Sequence, residues 1–129
     1  MIAVDTSALM AIILGEAASD ACISALEGQQ EILISAATVA EALIVAKRRN
    51  LDEEMSTLIE GLGLTVVPVS GSASSRIAQA YARWGKGVHP AGLNFGDCFS
   101  YAVAKEHDCP LLYVGDDFER TDLVDAKAR

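Results

Sequence analysis

Histidine and cysteine are scarce in this chain, and neither is spaced for chemistry. Cys22, Cys98 and Cys109 lie far apart and form no C-x-x-C pair, which excludes zinc-ribbon and dithiol redox chemistry and reads as reduced side chains in a core. His89 and His107 stand alone, without the i, i+4 or H-x-x-x-H spacing of a zinc site, so neither is assigned a catalytic role. Long apolar runs are also missing. The longest, Ala8 to Leu14, is far below the ~20 residues a membrane span needs, and no basic segment precedes it as in a signal peptide; the expectation is a soluble, cytoplasmic protein. Aromatics make up only 5% of a composition that is 51% hydrophobic and rich in alanine, which favours helices packed closely on a sheet over a β-sandwich. Positive charge is short as well: 10 Lys and Arg against 18 Asp and Glu leave a net −8, which argues against nonspecific nucleic-acid binding. Local charge is another matter. If several acids surround a divalent ion, Lys47-Arg48-Arg49, Arg76, Arg83 and Lys86 remain to meet a phosphate backbone, although the same surface suits a basic partner.

Acids at the ends of apolar runs are what the chain does have. Ile2-Ala3-Val4 runs into Asp5, and Leu111-Leu112-Tyr113-Val114 runs through Gly115 into Asp116-Asp117. Short apolar runs bounded this way read as buried strands, with Ile32-Leu33-Ile34 and Leu64 to Val67 as two more. Between them the pattern predicts helices over Ala8–Leu14 (capped by Thr6 or Ser7), Ala17–Leu26, Ser35 to about Asn50, Asp52 to about Leu62, Ser70–Arg83 and Phe95–Glu106. Trp84 to Asn94, with three glycines and a proline, reads as a loop, and Leu123-Val124 as a short edge strand. Strands alternating with helices mean βαβ units and a largely parallel sheet of four to five strands, in one α/β domain over residues 1–129. The carboxyl ends of parallel strands share one edge, where such proteins place their ligands.

Glu41 and Thr38 are the only residues in Ala36 to Ala46 that are not apolar, and at helical spacing they share a face. A capping box Thr38-x-x-Glu41 is the ordinary explanation, but the apolar helix pattern begins before Thr38, and an ionised glutamate among apolar neighbours needs a partner. Asp97 follows Asn94-Phe95-Gly96, so its ordinary role is as third residue of a helix capped by Asn94. Asp5 has a cap role available, and Asp116 and Asp117 a turn role beside Gly115. Those roles do not account for two acids at strand exits and two on helices at or near their starts, all positioned to face one sheet edge. Converging carboxylates without cysteine or histidine make an oxygen-only site that favours Mg²⁺ or Mn²⁺ over zinc, and a phosphate-bearing substrate follows. The expected reaction is metal-assisted phosphodiester hydrolysis by an activated water. An aspartyl-phosphate enzyme fits worse. The phosphatase pattern needs a second acid where Ser7 stands, and no lysine follows a late strand in the required place.

Four segments carry a resemblance over essentially the whole chain: Ile2-Ala3-Val4-Asp5-Thr6-Ser7-Ala8; Ser35-Ala36-Ala37-Thr38-Val39-Ala40-Glu41; Leu93-Asn94-Phe95-Gly96-Asp97-Cys98-Phe99; and Leu111-Leu112-Tyr113-Val114-Gly115-Asp116-Asp117-Phe118 with Thr121-Asp122. Together they resemble a PIN-domain ribonuclease, specifically the VapC toxins of bacterial type II toxin–antitoxin systems. The resemblance implies a three-layer α/β/α fold with an acidic pocket that binds Mg²⁺ or Mn²⁺ and cuts single-stranded regions of RNA. It implies that Asp5, Glu41 and Asp97 are core metal-site acids, with Asp116 as the fourth and Asp117 the competing choice beside it. Thr6 or Ser7 takes the hydroxyl position near the metal, and Asn94 an outer contact. It further implies a homodimer held inactive by a cognate VapB-type antitoxin whose tail places a basic side chain among the carboxylates. The alternatives are a noncatalytic partner-binding regulator built on the same pocket and a PIN nuclease with housekeeping RNA-processing duties.

Overall fold

The computed structural model describes residues 1–128. Four strands, β1 (Ile2–Val4), β2 (Ile32–Ser35), β3 (Thr65–Val67) and β4 (Leu111–Leu112), form one parallel sheet in the order β3-β2-β1-β4. Six helices connect them: α1 (Thr6–Leu14), α2 (Ser19–Leu26), α3 (Ala36–Arg48), α4 (Asp52–Leu62), α5 (Gly71–Trp84) and α6 (Phe95–Glu106).

The strands are apolar throughout because both faces are covered. Successive side chains point to opposite sides, so Ile2, Val4, Ile32, Ile34 and Leu112 pack with α1 to α4, while Ala3, Leu33 and Leu111 pack with α5 and α6. The result is the α/β/α sandwich expected from the sequence. The register sets Ile2 opposite Ile32 and Val4 opposite Leu112, so β1 ends level with β4. From β1 the chain moves outward to β2 and β3, then crosses back to place β4 on the far side of β1. The cleft between the ends of β1 and β4 is therefore the switch point where open α/β sheets take ligands.

Several boundaries depart from expectation. Asp5 itself, not Thr6 or Ser7, caps α1: it has extended backbone and accepts from the Ser7 amide, so the helix starts two residues early. Ser35 caps α3 in the same way and is also the last residue of β2. The Thr38-x-x-Glu41 capping box does not form, because Thr38 already lies inside the helix. β4 stops at Leu112, since the next amide in line, that of Val114, turns to the Ser7 hydroxyl at 3.0 Å. The expected edge strand at Leu123-Val124 is reduced to a single bridge, Leu111 with Asp125, supported by the Leu111 amide donating to the Val124 carbonyl. Cys22 and Cys98 are buried free thiols and Cys109 is a half-buried one, as a reduced core requires. No single helix among the described residues is long and apolar enough to cross a membrane.

Candidate metal centre

Each acid reaches the switch point for a local reason. Asp5 is carried there by the end of β1, and its duty as cap of α1 fixes its rotamer: Oδ2 accepts from the Ser7 amide at 3.1 Å and the Ser7 hydroxyl at 2.7 Å. Its Oδ1 accepts from the Ser100 hydroxyl of α6 at 2.5 Å. Glu41 sits on the second turn of α3, half-buried, and its Oε1 accepts from the Thr6 hydroxyl at 2.6 Å.

Asp97 is third in α6 and completes a capping box with Asn94. The Asn94 side chain accepts from the Asp97 amide at 2.8 Å, and the Asp97 Oδ2 accepts from the Asn94 amide at 3.0 Å. The ordinary role foreseen for Asp97 is thus real, and it aims the carboxylate instead of competing with chemistry. Glu41 leans directly over the start of α6. A Cβ on Gly96 would collide with Glu41 Oε2, so any larger residue there would push that carboxylate aside; the constraint is close approach, not backbone angle.

The electrostatics show which acids meet. Burial pushes the Asp97 carboxyl up to about 7; the Asn94 amide opposes the shift, and the negative charges of Asp5, Asp117 and Glu41 add to it. Asp117 is in this group and Asp116 is not. Beyond the end of β4, Gly115 takes a φ of 100° and reverses the chain, and Asp116 then opens the turn whose carbonyl accepts from the Glu119 amide at 3.3 Å. Both acids are exposed, and both line a cavity of about 300 Å³ with Pro90, Ala91, Glu119 and Arg120. Of the adjacent pair, Asp117 is the acid whose charge acts on Asp97, while Asp116 lines the same cavity beside it.

Among the described residues, none of these four acids is engaged in an ion pair with a lysine, arginine or histidine. Nor, among the described residues, are any three Asp, Glu, His or Cys side chains gathered closely enough to hold a metal ion as they stand. Like charges hold one another apart, and Mg²⁺ keeps several waters and needs only one or two direct carboxylates, so an open arrangement suits it. The oxygen-only donors and the negative charges gathered around Asp97 fit a hard divalent cation.

A second cavity, of about 280 Å³, lies between α5 and α6 and is lined by Arg76, Arg83, Trp84, Tyr101 and Lys105. Its cations are already paired, Arg76 with Glu106 at 2.7 Å and Lys105 with Asp122 at 3.1 Å, and none of the four acids reaches it. His89 and His107 have structural work. His89 Nδ1 accepts from the Ala91 amide at 3.0 Å, and its ring meets Trp84 edge-on; His107 closes α6 with its Nδ1 3.0 Å from the Val103 carbonyl.

The profile of the PIN domain family matches residues 2–124. The chain belongs to the PIN-domain family. Its relatives include ribonuclease VapC36 of Mycobacterium tuberculosis, 42% identical over 93% of this chain and 89% of the relative. Ribonuclease VapC42 of the same species is 39% identical over 93% of this chain and 95% of the relative. Among solved structures the chain resembles VapC20 of M. tuberculosis, a toxin that cleaves the sarcin–ricin loop, with a TM-score of 0.77 and 18% identity over 96% of this chain and 97% of that one. VapBC2 of Rickettsia felis bound to a promoter DNA fragment matches with a TM-score of 0.73 and 19% identity, over 96% of each chain. These structures show the fold, and the closer sequence relatives put the chain in the VapC branch of the PIN family.

Ser100 was not foreseen from the sequence. The signal for it was available, because a hydroxyl one turn after Asp97 in an otherwise apolar stretch is as conspicuous as Thr38 one turn before Glu41.

Proposed function

We propose that this VapC-type PIN protein is a divalent-metal-dependent endoribonuclease, the toxin of a toxin–antitoxin pair, in which Asp5, Glu41, Asp97 and Asp117 hold Mg²⁺ or Mn²⁺. One observation carries the reading: carboxylates from β1, α3 and the turn after β4 lie close enough to act on Asp97 of α6 at the switch point, and among the described residues none of the four is in an ion pair. The VapC ribonucleases at 36–42% identity over nearly the whole chain supply the substrate class, RNA.

A divalent ion bound there would acidify a water for attack and shield the phosphodiester from the acids. The chain's own residues orient the rest. Asp5 is fixed from both of its oxygens, Glu41 is held by Thr6, and Asp97 is aimed by Asn94.

A cognate VapB-type antitoxin is the expected partner. An arginine or lysine inserted among these carboxylates would neutralise them and exclude metal in one step. A homodimer is expected as well.

The test is induced expression in a bacterial host of the wild type beside Asp97→Asn, with growth followed and new RNA 5′ ends mapped. Growth arrest with discrete new ends in the wild type alone is the expected result. Identical behaviour at equal soluble levels would overturn the catalytic reading in favour of a partner-binding protein. Asp117→Asn should abolish cleavage nearly as fully as Asp97→Asn, while Asp116→Asn should leave most of it. The reverse ranking would restore Asp116 as the fourth acid.

A further inference from the structure

We infer that Ser100 is a positioning residue of the metal centre: its hydroxyl, supported from below by Thr38, fixes the Asp5 carboxylate relative to α6 and thereby sets the spacing between Asp5 and Asp97. The inference rests on the metal-dependent reading above and deepens it.

A buried serine inside a helix usually returns its proton to a carbonyl one turn back. Ser100, 2% exposed, instead reaches across to Asp5 Oδ1 at 2.5 Å, a contact between residues 95 positions apart. Asp5 also accepts from Ser7, but both of those bonds are local to the start of α1 and move with it. The Ser100 bond instead ties Asp5 to the helix that carries Asp97. A carboxylate offers about four lone-pair sites. With three filled by Ser7 amide, Ser7 hydroxyl and Ser100 hydroxyl, the carboxylate plane is fixed and the remaining site has one direction.

Thr38 completes the chain. It is 1% exposed on α3, three residues before Glu41, and its Oγ1 lies 3.4 Å from Ser100 Oγ. Ser100 has one proton and gives it to Asp5, so Thr38 is left to donate to Ser100. The run Thr38 to Ser100 to Asp5 is then directional, and each bond polarises the next. Each helix that brings an acid to the cleft, Glu41 on α3 and Asp97 on α6, thus carries a hydroxyl one turn away, and the two hydroxyls meet beneath the site. Partners of this kind orient ligands and change metal affinity or activity by roughly 10- to 100-fold when removed.

The experiment is a Mn²⁺ titration by calorimetry of chelator-stripped protein, with thermal melts in chelator and in Mn²⁺, for wild type, Ser100→Ala, Thr38→Val and Tyr101→Phe. Tyr101 is the control: it is the next residue of α6, makes a buried hydrogen bond remote from the acids, and should lower the melting temperature without moving Mn²⁺ affinity. Ser100→Ala is expected to weaken Mn²⁺ binding by roughly 10- to 100-fold, and Thr38→Val by a smaller factor in the same direction. A Ser100→Ala protein that binds Mn²⁺ within a factor of about two of wild type, melting lower by the same amount in chelator and in Mn²⁺, would overturn the inference and leave Ser100 a packing residue. If Ser100→Ala does not fold, Ser100→Cys, which keeps the volume and weakens the donor, decides by the same criterion. A wild type that takes up no Mn²⁺ sinks the metal reading itself, and the inference with it.

Discussion

Asp97 shows how one side chain serves fold and site together. Its capping box stabilises the start of α6, while burial and the three neighbouring carboxylates oppose its charge. The unfolded chain gives up this proton near the ordinary carboxylate value, whereas the folded chain keeps it to about 7. Between those limits the native state binds the extra proton, so stability from this group falls as pH rises from about 4 to about 7 and is gone above that. Asp97→Asn keeps an acceptor for the Asn94 amide and removes the charge. In chelator it should melt higher than wild type at pH 8, by at most ~4 kcal/mol at about 1.4 kcal/mol per pH unit, with the gap closing toward pH 4. Melts across that range check it, and a variant that melts lower at pH 8 would mean capping outweighs repulsion. Gly96→Ala makes the complementary point. The new methyl displaces the Glu41 carboxylate, yet alanine suits a helix better than glycine by up to ~1 kcal/mol. The variant should therefore hold or gain melting temperature while losing RNA cleavage, which paired melts and cleavage assays would separate. At this scale the sequence made Asp5 conspicuous as an acid closing an apolar run, Glu41 as a lone acid within an apolar helix, and Asp97 as the third residue of a helix capped by Asn94. Which of Asp116 and Asp117 lies close enough to act on Asp97 was not legible, because it depends on the backbone reversal at Gly115.

Among the elements, helix positions were read well from periodicity, whereas the ends of β4 and the tail were not. Leu111 to Val114 is uniformly apolar, and nothing in that pattern tells that the Val114 amide prefers a serine hydroxyl to a strand partner. The pairing of α5 with α6 was also beyond the sequence. Trp84 Nε1 donates to the Tyr101 hydroxyl at 2.9 Å, and that hydroxyl donates to Asp122 at 2.7 Å, tying both helices to the segment after β4. Burial, with the bond to Asp122 adding to it, pushes the Tyr101 phenol up to about 12, so it stays a donor at any working pH. Tyr101→Phe leaves the buried indole N–H without an acceptor and should cost about 1–3 kcal/mol, read by denaturant melts, with RNA cleavage unchanged below the new midpoint. A loss of cleavage at full folding would show that this clamp also positions the site.

For the whole molecule, the net charge of −8 is the quantity that metal binding should alter most. Acids crowded at one edge oppose folding until a cation arrives, so Mn²⁺ at about 100 times its dissociation constant should add ~2.7 kcal/mol of stability, and Asp5→Asn should lose most of that gain. A melting temperature indifferent to Mn²⁺ in the wild type would contradict it. The doubly wound topology and the location of the cleft were legible from strand–helix alternation, because parallel strands leave few arrangements open.

That topology has a temporal consequence. Asp5 is made well before the groups it meets: its neighbour strand β4 begins at residue 111, its buried donor is residue 100, and the acid across the cleft is residue 117. A chain still growing on the ribosome has no assembled cleft until residues 100 to 117 have emerged. The order of synthesis thus makes the acidic cleft one of the later features of this domain to form beside the RNA-rich machine that makes it.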